Sequence, residues 1–261
     1  MTMLSNDEVS IKLKKDVDIS NAIVILGSPT VGLIGSIAGN YIANSLKLEQ
    51  IGSIHSKYFV PSVLIRDSKP IPPVRIYYAG DDVCKNNKAC DHLVTIVSEF
   101  PIPLPAVQPL IDELFKWTDD GNISFFLALE GIKSLDKEED QVDVYGVGST
   151  SKMVKTLNDY GIEKIENGLI GGFTGALLLA EAERNKDMLC MLTEAHSAYP
   201  DSRAAGRLLE KVDDMLPGIH LDLDPLYEEA EKIEKSIRKF MEQSKSSPAQ
   251  MQHLTQPPMY S

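Results

Sequence analysis

Ala22-Ile-Val-Ile-Leu26 is an unbroken apolar run that ends in Gly27-Ser-Pro-Thr. A strand reads this way when both of its faces are covered, the condition of a central strand in a parallel sheet with helices on either side. The next segment supplies such a helix. From Val31 to Leu46, apolar residues recur at 34, 37, 38, 41, 42 and 46, which is helical spacing. Gly32, Gly35 and Gly39 leave one face of it nearly bare backbone, suited to close approach by a neighbour.

The same order returns downstream. Short β-like runs cover 51–54, 62–65, 74–78 and 93–97, and Pro61, Pro70, Pro72 and Pro73 mark a hairpin and loop among them. Val74-Arg-Ile-Tyr-Tyr78 alternates in the manner of a half-exposed strand. Val107, Leu110, Ile111, Leu114, Phe115 and Trp117 form a helical stripe, followed by a strand over 123–129 that closes with Glu130-Gly131-Ile132. A strand over 142–147 runs into Gly148-Ser-Thr-Ser, where Ser149 or Thr150 caps a helix near 152–160. After a short strand at 162–165, Gly168-Leu-Ile-Gly-Gly-Phe-Thr-Gly opens a helix on a glycine-rich turn. Met188 to Leu192 is a buried strand, and Asp201 or Ser202 caps the helix that follows Pro200. Strands alternating with helices predict an α/β domain with a largely parallel central sheet.

Residues 224–243 predict a C-terminal helix whose seam is Leu226, Tyr227, Ala230, Ile233, Ile237, Phe240 and Met241, read as packing on its own domain. We therefore expect one α/β domain over 1–243. From Ser244 the chain is rich in Ser, Gln and Pro without helical or strand period, so 244–261 is expected to be a flexible tail. At its end stand Met259, Tyr260 and Ser261, an apolar side chain, an aromatic one and a carboxylate together.

Charge limits the partners. The net charge is -12, from 38 acidic and 26 basic residues, so a phosphate backbone is repelled and nucleic acid is not expected. The densest basic run, Lys12-Leu-Lys14-Lys15, is followed at once by Asp16 and Asp18. No stretch is apolar enough to span a membrane and the first residues do not form a signal peptide, so the expected location is the cytoplasm. Cys84 and Cys90 stand at a spacing that suits no common zinc knuckle; we read them as plain thiols, a loop disulfide being the alternative.

Several motifs invite an enzyme reading. Gly27-Ser-Pro-Thr-Val-Gly32 has the first half of a phosphate loop, but Leu33-Ile34 stands where the lysine is required. Gly171, Gly172, Thr174 and Gly175 open a helix and could present amides to an anion, although a glycine at a strand–helix turn more often serves tight packing. The five histidines have no paired spacing, so no metal or other cofactor is expected. Gly148-Ser149-Thr-Ser lacks the glycines of a nucleophile elbow, and His196 with Asp201 and Arg203 reads as a capping network.

Four stretches, in order, resemble the proteasome-assembly chaperone family: Gly27-Ser-Pro-Thr-Val-Gly-Leu-Ile-Gly35; Glu130-Gly131-Ile132 with Val144-Tyr-Gly-Val-Gly-Ser149; Gly168-Leu-Ile-Gly-Gly-Phe-Thr-Gly-Ala-Leu-Leu; and Ala195-His-Ser-Ala-Tyr-Pro-Asp-Ser-Arg-Ala-Ala205. The likeness spans about 20–215, and Met259-Tyr260-Ser261 matches the hydrophobic–tyrosine–any ending with which such factors enter proteasome pockets, pointing to the archaeal branch. The resemblance implies a three-layer α/β/α fold similar to nucleoside phosphorylases, homo-oligomers, and tails docked on α-subunits of the 20S proteasome ring. Candidate interfaces between copies are the glycine face of 31–46 and the seam of 226–241. The alternatives are an ATP-independent proteasome activator, or a small-molecule enzyme of phosphorylase-like fold with its pocket at Gly27–Gly32 and Gly148–Thr150.

Overall fold

The computed structural model describes residues 8–80, 90–133, 144–216, 219–233 and 235. Its strands are β1 (Val9–Leu13), β2 (Ala22–Gly27), β3 (Glu49–Ser56), β4 (Leu64–Arg66), β5 (Lys69–Ile71), β6 (Val74–Ala79), β7 (His92–Ser98), β8 (Phe125–Lys133), β9 (Val144–Gly148), β10 (Glu163–Lys164) and β11 (Met188–Ala195). The helices are α1 (Ile34–Ser45), entered through a 3-10 turn at Val31–Leu33, α2 (Leu104–Gly121), α3 (Ser151–Asp159), α4 (Gly172–Glu183) and α5 (Ser202–Met215). A further helical stretch, α6, occupies 224–233.

Among the described residues, nine strands form one sheet in the order β1-β3-β6-β7-β2-β8-β11-β9-β10, and β4 pairs with β5 as a separate ribbon. The four central strands β7, β2, β8 and β11 run parallel, as their continuous apolar runs predict. The flanks are antiparallel: β6 on β7, β3 on β6 and β1 on β3 at one side, β9 on β11 at the other.

β2 shows why the domain has three layers. Ile23 and Ile25 point into a core shared with α1, α3, α5 and Leu226 of α6, while Ala22, Val24 and Leu26 point into a second core under α2 and α4. Every residue of β2 is buried, which satisfies the double-faced strand read from the sequence. Helix starts follow local chemistry. Thr150 caps α3 by accepting from the Met153 amide at 3.3 Å, and Asp201 caps α5 by accepting from Ala204 at 2.9 Å.

Several expectations need correction. The glycine face of α1 is turned inward: a Cβ on Gly35 would lie 2.2 Å from the Ser28 carbonyl oxygen, and one on Gly39 would lie 3.1 Å from Val97. That face is spent within the chain and leaves nothing for a second copy. Val74–Tyr78 is not half-exposed, since β6 is covered by neighbours and Arg75 is 0% exposed. Cys90 is disulfide-bonded rather than a free thiol, whereas Cys190 is free and buried; Cys84 lies outside the described residues. β1 has no counterpart in the sequence reading, because the lysines beside its Val9, Ile11 and Leu13 read as a charge run.

The seam of α6 packs on its own domain as far as the described residues reach. Leu226 and Ala230 are buried, and the Tyr227 ring lies against Gly206. Tyr227 also donates to Glu210 at 2.5 Å, and the charge of Glu231 interacts with Arg203. Later residues of α6 thus meet earlier residues of α5, so α6 runs antiparallel to α5. Ile237, Phe240, Met241 and the tail 244–261 lie outside the described residues. Among those described, no helix is long and apolar enough to cross a membrane.

Candidate functional site

Strand order reverses between β2 and β8. The chain leaves β2 through α1 toward β3 on one side, and leaves β8 toward β9 and β11 on the other. Open α/β sheets place ligands in the crevice beyond the carboxyl ends of their strands at such a point.

The turn after β2 brings Thr30 to the end of β8, where its Oγ1 accepts from the Gly131 amide at 2.8 Å. One residue earlier, Glu130 accepts a hydrogen bond on Oε1 from the Thr174 hydroxyl in the first turn of α4. Beyond β11, Asp201 donates its amide to the Gly32 carbonyl at 2.9 Å and accepts from the His196 amide at 3.0 Å. His196 stacks on Tyr199 with centroids 4.9 Å apart. The capping role read for His196 and Asp201 therefore holds, and it also fastens Gly32, whose φ of 63° suits glycine.

Burial pushes the Glu130 carboxyl up to about 7, against the smaller opposing effect of the Thr174 hydroxyl. Cys190, on the neighbouring strand, is raised well above its ordinary range by its own burial and by the charge of Glu130. Such a carboxyl could hold or release a proton near neutrality. A slot of about 20 Å³ is lined by residues including Gly27, Ser28, Ile102 and Phe173, room for a single water. The turn that resembled half a phosphate loop is covered: the Ser28 amide nitrogen lies 2.9 Å from where a Cβ on Gly35 would stand.

The residues singled out in the sequence fall in two places. Gly171, Gly172, Thr174 and Gly175 come together at the start of α4, where Gly171 and Gly172 face open space. Gly175 packs on the Ile170 carbonyl, and the Thr174 hydroxyl is committed to Glu130. Met259, Tyr260 and Ser261 lie outside the described residues. Among the described residues no cluster of three or more His, Cys, Asp or Glu could hold a metal ion.

The reading of the sequence missed a second polar centre. Arg75 donates to Tyr77 at 2.8 Å, to the Pro72 carbonyl at 3.1 Å and to Asn40 at 3.0 Å, and it pairs with Glu99 just past β7. The spacing of Arg75 and Tyr77 on one strand face was the available signal; alternation alone could not show that this face is covered. Glu99 also lines a groove of about 290 Å³ with Val60, Ser62, Val63, Leu64, Pro73 and Phe100. The groove separates the β4–β5 ribbon from the body.

Directions along the sheet place these features at one end. β3 runs parallel to β7 through two antiparallel steps, so the ribbon that follows it projects beyond the carboxyl ends of the central strands. α1, α2 and α4 start at that end because each returns along the sheet. Exposed Leu33, Val60, Val63, Ile65, Leu104 and Leu169 all lie there, at 42% to 97% exposure. α6 also rises toward it, since α5 begins just beyond β11.

The sequence profile of the PAC2 family matches residues 24–241, most of the chain and every central strand. The chain belongs to the PAC2 family. Among solved structures, Pyrococcus furiosus PbaA, an archaeal homologue of proteasome-assembly chaperone, is 28% identical; the match covers 92% of this chain and 94% of that one with a TM-score of 0.79. Pyrococcus furiosus PbaB, an archaeal proteasome activator, shares the fold at 22% identity and a TM-score of 0.76, over 90% of this chain and 99% of that one. An uncharacterised protein of Methanocaldococcus jannaschii is 28% identical over 91% of this chain and 92% of its own length. The PAC2 fold is thus the mixed, centrally parallel three-layer arrangement described above.

Proposed function

We propose that this chain is a proteasome-assembly chaperone that works in the cytoplasm as a homo-oligomer. It docks on the α-ring of the 20S proteasome, or on intermediates of ring assembly, through Met259, Tyr260 and Ser261. The observation that carries this reading is the likeness to Pyrococcus furiosus PbaA, which at 28% identity extends over 92% of the chain. One further feature supports it: the apolar–tyrosine–carboxylate ending.

The chemistry of the tail suits a pocket between subunits. Tyr260 brings a broad apolar face with a hydroxyl at its tip, Met259 fills irregular space, and the Ser261 carboxylate pairs with a cation. One exposed ion pair contributes about 0–1 kcal/mol, and ordering the tail offsets much of the tyrosine's burial. A single tail therefore binds weakly. Several tails on one body raise the effective concentration, and avidity gains about 10²–10⁴.

The test is a binding titration of the full chain against archaeal 20S particles and free α-rings. Tyr260→Ala is expected to lower affinity at least tenfold while mass and unfolding midpoint stay unchanged. Equal binding by the variant would remove the tail from the mechanism. Peptide hydrolysis measured in the same titration separates assembly from activation, since an activator raises turnover of a short peptide.

A further inference from the structure

A homo-oligomer needs a surface, and as far as the described residues reach, both surfaces read from the sequence are spent inside the chain. The glycine face of α1 packs on the turn after β2, and Leu226, Tyr227 and Ala230 of the α6 seam pack on their own domain. The β4–β5 ribbon is in the opposite condition. It pairs with no other strand among the described residues, and an isolated two-stranded hairpin is marginal in water. It nevertheless leaves Ile65 exposed at 62%, and Val60 and Val63 in the segment leading into it are exposed at 57% and 56%.

Charge indicates what covers this surface. The chain carries a net -12, so two copies repel each other over most of their surfaces. The ribbon's turn departs from this, with Arg66 and Lys69 against a single Asp67. Arg66 and Lys69 are exposed, and neither makes an ion pair among the described residues. At the base of the ribbon lies the groove, apolar except for Ser62 and Glu99. Glu99 takes Arg75 and Asn40 on Oε1, leaving Oε2 for another donor. An apolar ribbon with a basic tip and an apolar groove with an acidic floor are complementary, and each copy carries both.

We propose that the β4–β5 ribbon is a self-association arm: Ile65 of one copy enters the groove between Val63 and Phe100 of a second copy, Arg66 or Lys69 approaches Glu99, and the second copy returns the same contact. This deepens the reading above that the chain works as an oligomer, and rests on it. The exchange is isologous, so two arms and two grooves are satisfied at once. It also sets both α6 helices rising toward the same junction.

The test uses the full chain with a benzoyl-phenylalanine photo-crosslinker at position 65, mixing isotope-labelled and unlabelled copies. Cross-links between labelled and unlabelled peptides that contain Phe100 are expected. Cross-links confined to one copy, or formed only to an α-ring subunit when rings are added, overturn the proposal. In parallel, Val63→Asp/Ile65→Asp and Arg66→Glu/Lys69→Glu are weighed by light scattering. Both are expected to weaken self-association at least tenfold with an unchanged near-ultraviolet spectrum. An oligomer that persists in both variants overturns the arm and leaves the oligomer reading standing. A wild-type chain that is monomeric at micromolar concentration overturns both, while the Tyr260→Ala titration still judges the tail by itself.

Discussion

A carboxyl group that titrates at about 7 inside the fold and near 4.5 outside it couples folding to proton binding. Below pH 4.5 both states hold the proton and Glu130 exacts no penalty. Between 4.5 and 7 the unfolded chain releases its proton first, so stability falls as pH rises. Above 7 the loss is complete, at up to about 3 kcal/mol. Glu130→Gln keeps an acceptor for the Thr174 hydroxyl and removes the titration. We expect its unfolding midpoint in urea to match wild type at pH 4.5 and to exceed it increasingly toward pH 8. Parallel curves for the two proteins would contradict this assignment. Arg75 belongs to the same scale with the opposite sign. Arg75→Met keeps the stem but strands Asn40 and Glu99, and the loss is expected to be about 3 kcal/mol, the cost of breaking a buried pair. Arg75→Lys should recover little, because an ammonium cannot serve Tyr77, Asn40, Glu99 and a carbonyl together.

At the scale of elements, α1 rests on the turn after β2 through bare backbone. Gly35→Ala places a methyl group 2.2 Å from the Ser28 carbonyl oxygen and 2.5 Å from that of Leu129. Both obstacles are backbone, so the helix itself must move. A loss of about 3 kcal/mol or failure to fold is expected, and chemical denaturation with near-ultraviolet circular dichroism checks it. Elements set by local chemistry were legible in the sequence: β2 from its apolar run, α3 and α5 from Thr150 and Asp201, and the ribbon from its prolines. Elements set by distant pairing were not. Val9, Ile11 and Leu13 become a strand because β3 offers them an edge, and nothing near Lys12 announces that. Arg75 is buried because Glu99 and Asn40, 24 and 35 residues away, converge on it. Glu130 was visible as the close of a strand, but its buried environment depends on α4 coming round to supply Thr174.

For the whole molecule, the tail proposed to bind the ring follows the last residue of both described cores. Deleting Met259 to Ser261 should therefore leave the unfolding midpoint within about 1 °C and the oligomer mass unchanged, while α-ring binding is lost. One residue added after Ser261 should damage binding nearly as much, since it displaces the carboxylate by about 3.5 Å, beyond a charge-assisted hydrogen bond. Tyr260→Phe should be milder, losing a hydroxyl contact of about 0.5–1.5 kcal/mol. Calorimetry, light scattering and the ring titration on the same samples distinguish these outcomes. The margins of the sheet carry one more consequence. β10 is two residues long, Glu163 and Lys164, both exposed and charged, and β1 is a five-residue strand with Lys12 on its open rim. Short, charged rims resist annealing with other sheets. Crowding this protein should therefore fill a closed particle of fixed mass and then stop, with no drift toward fibres or gels.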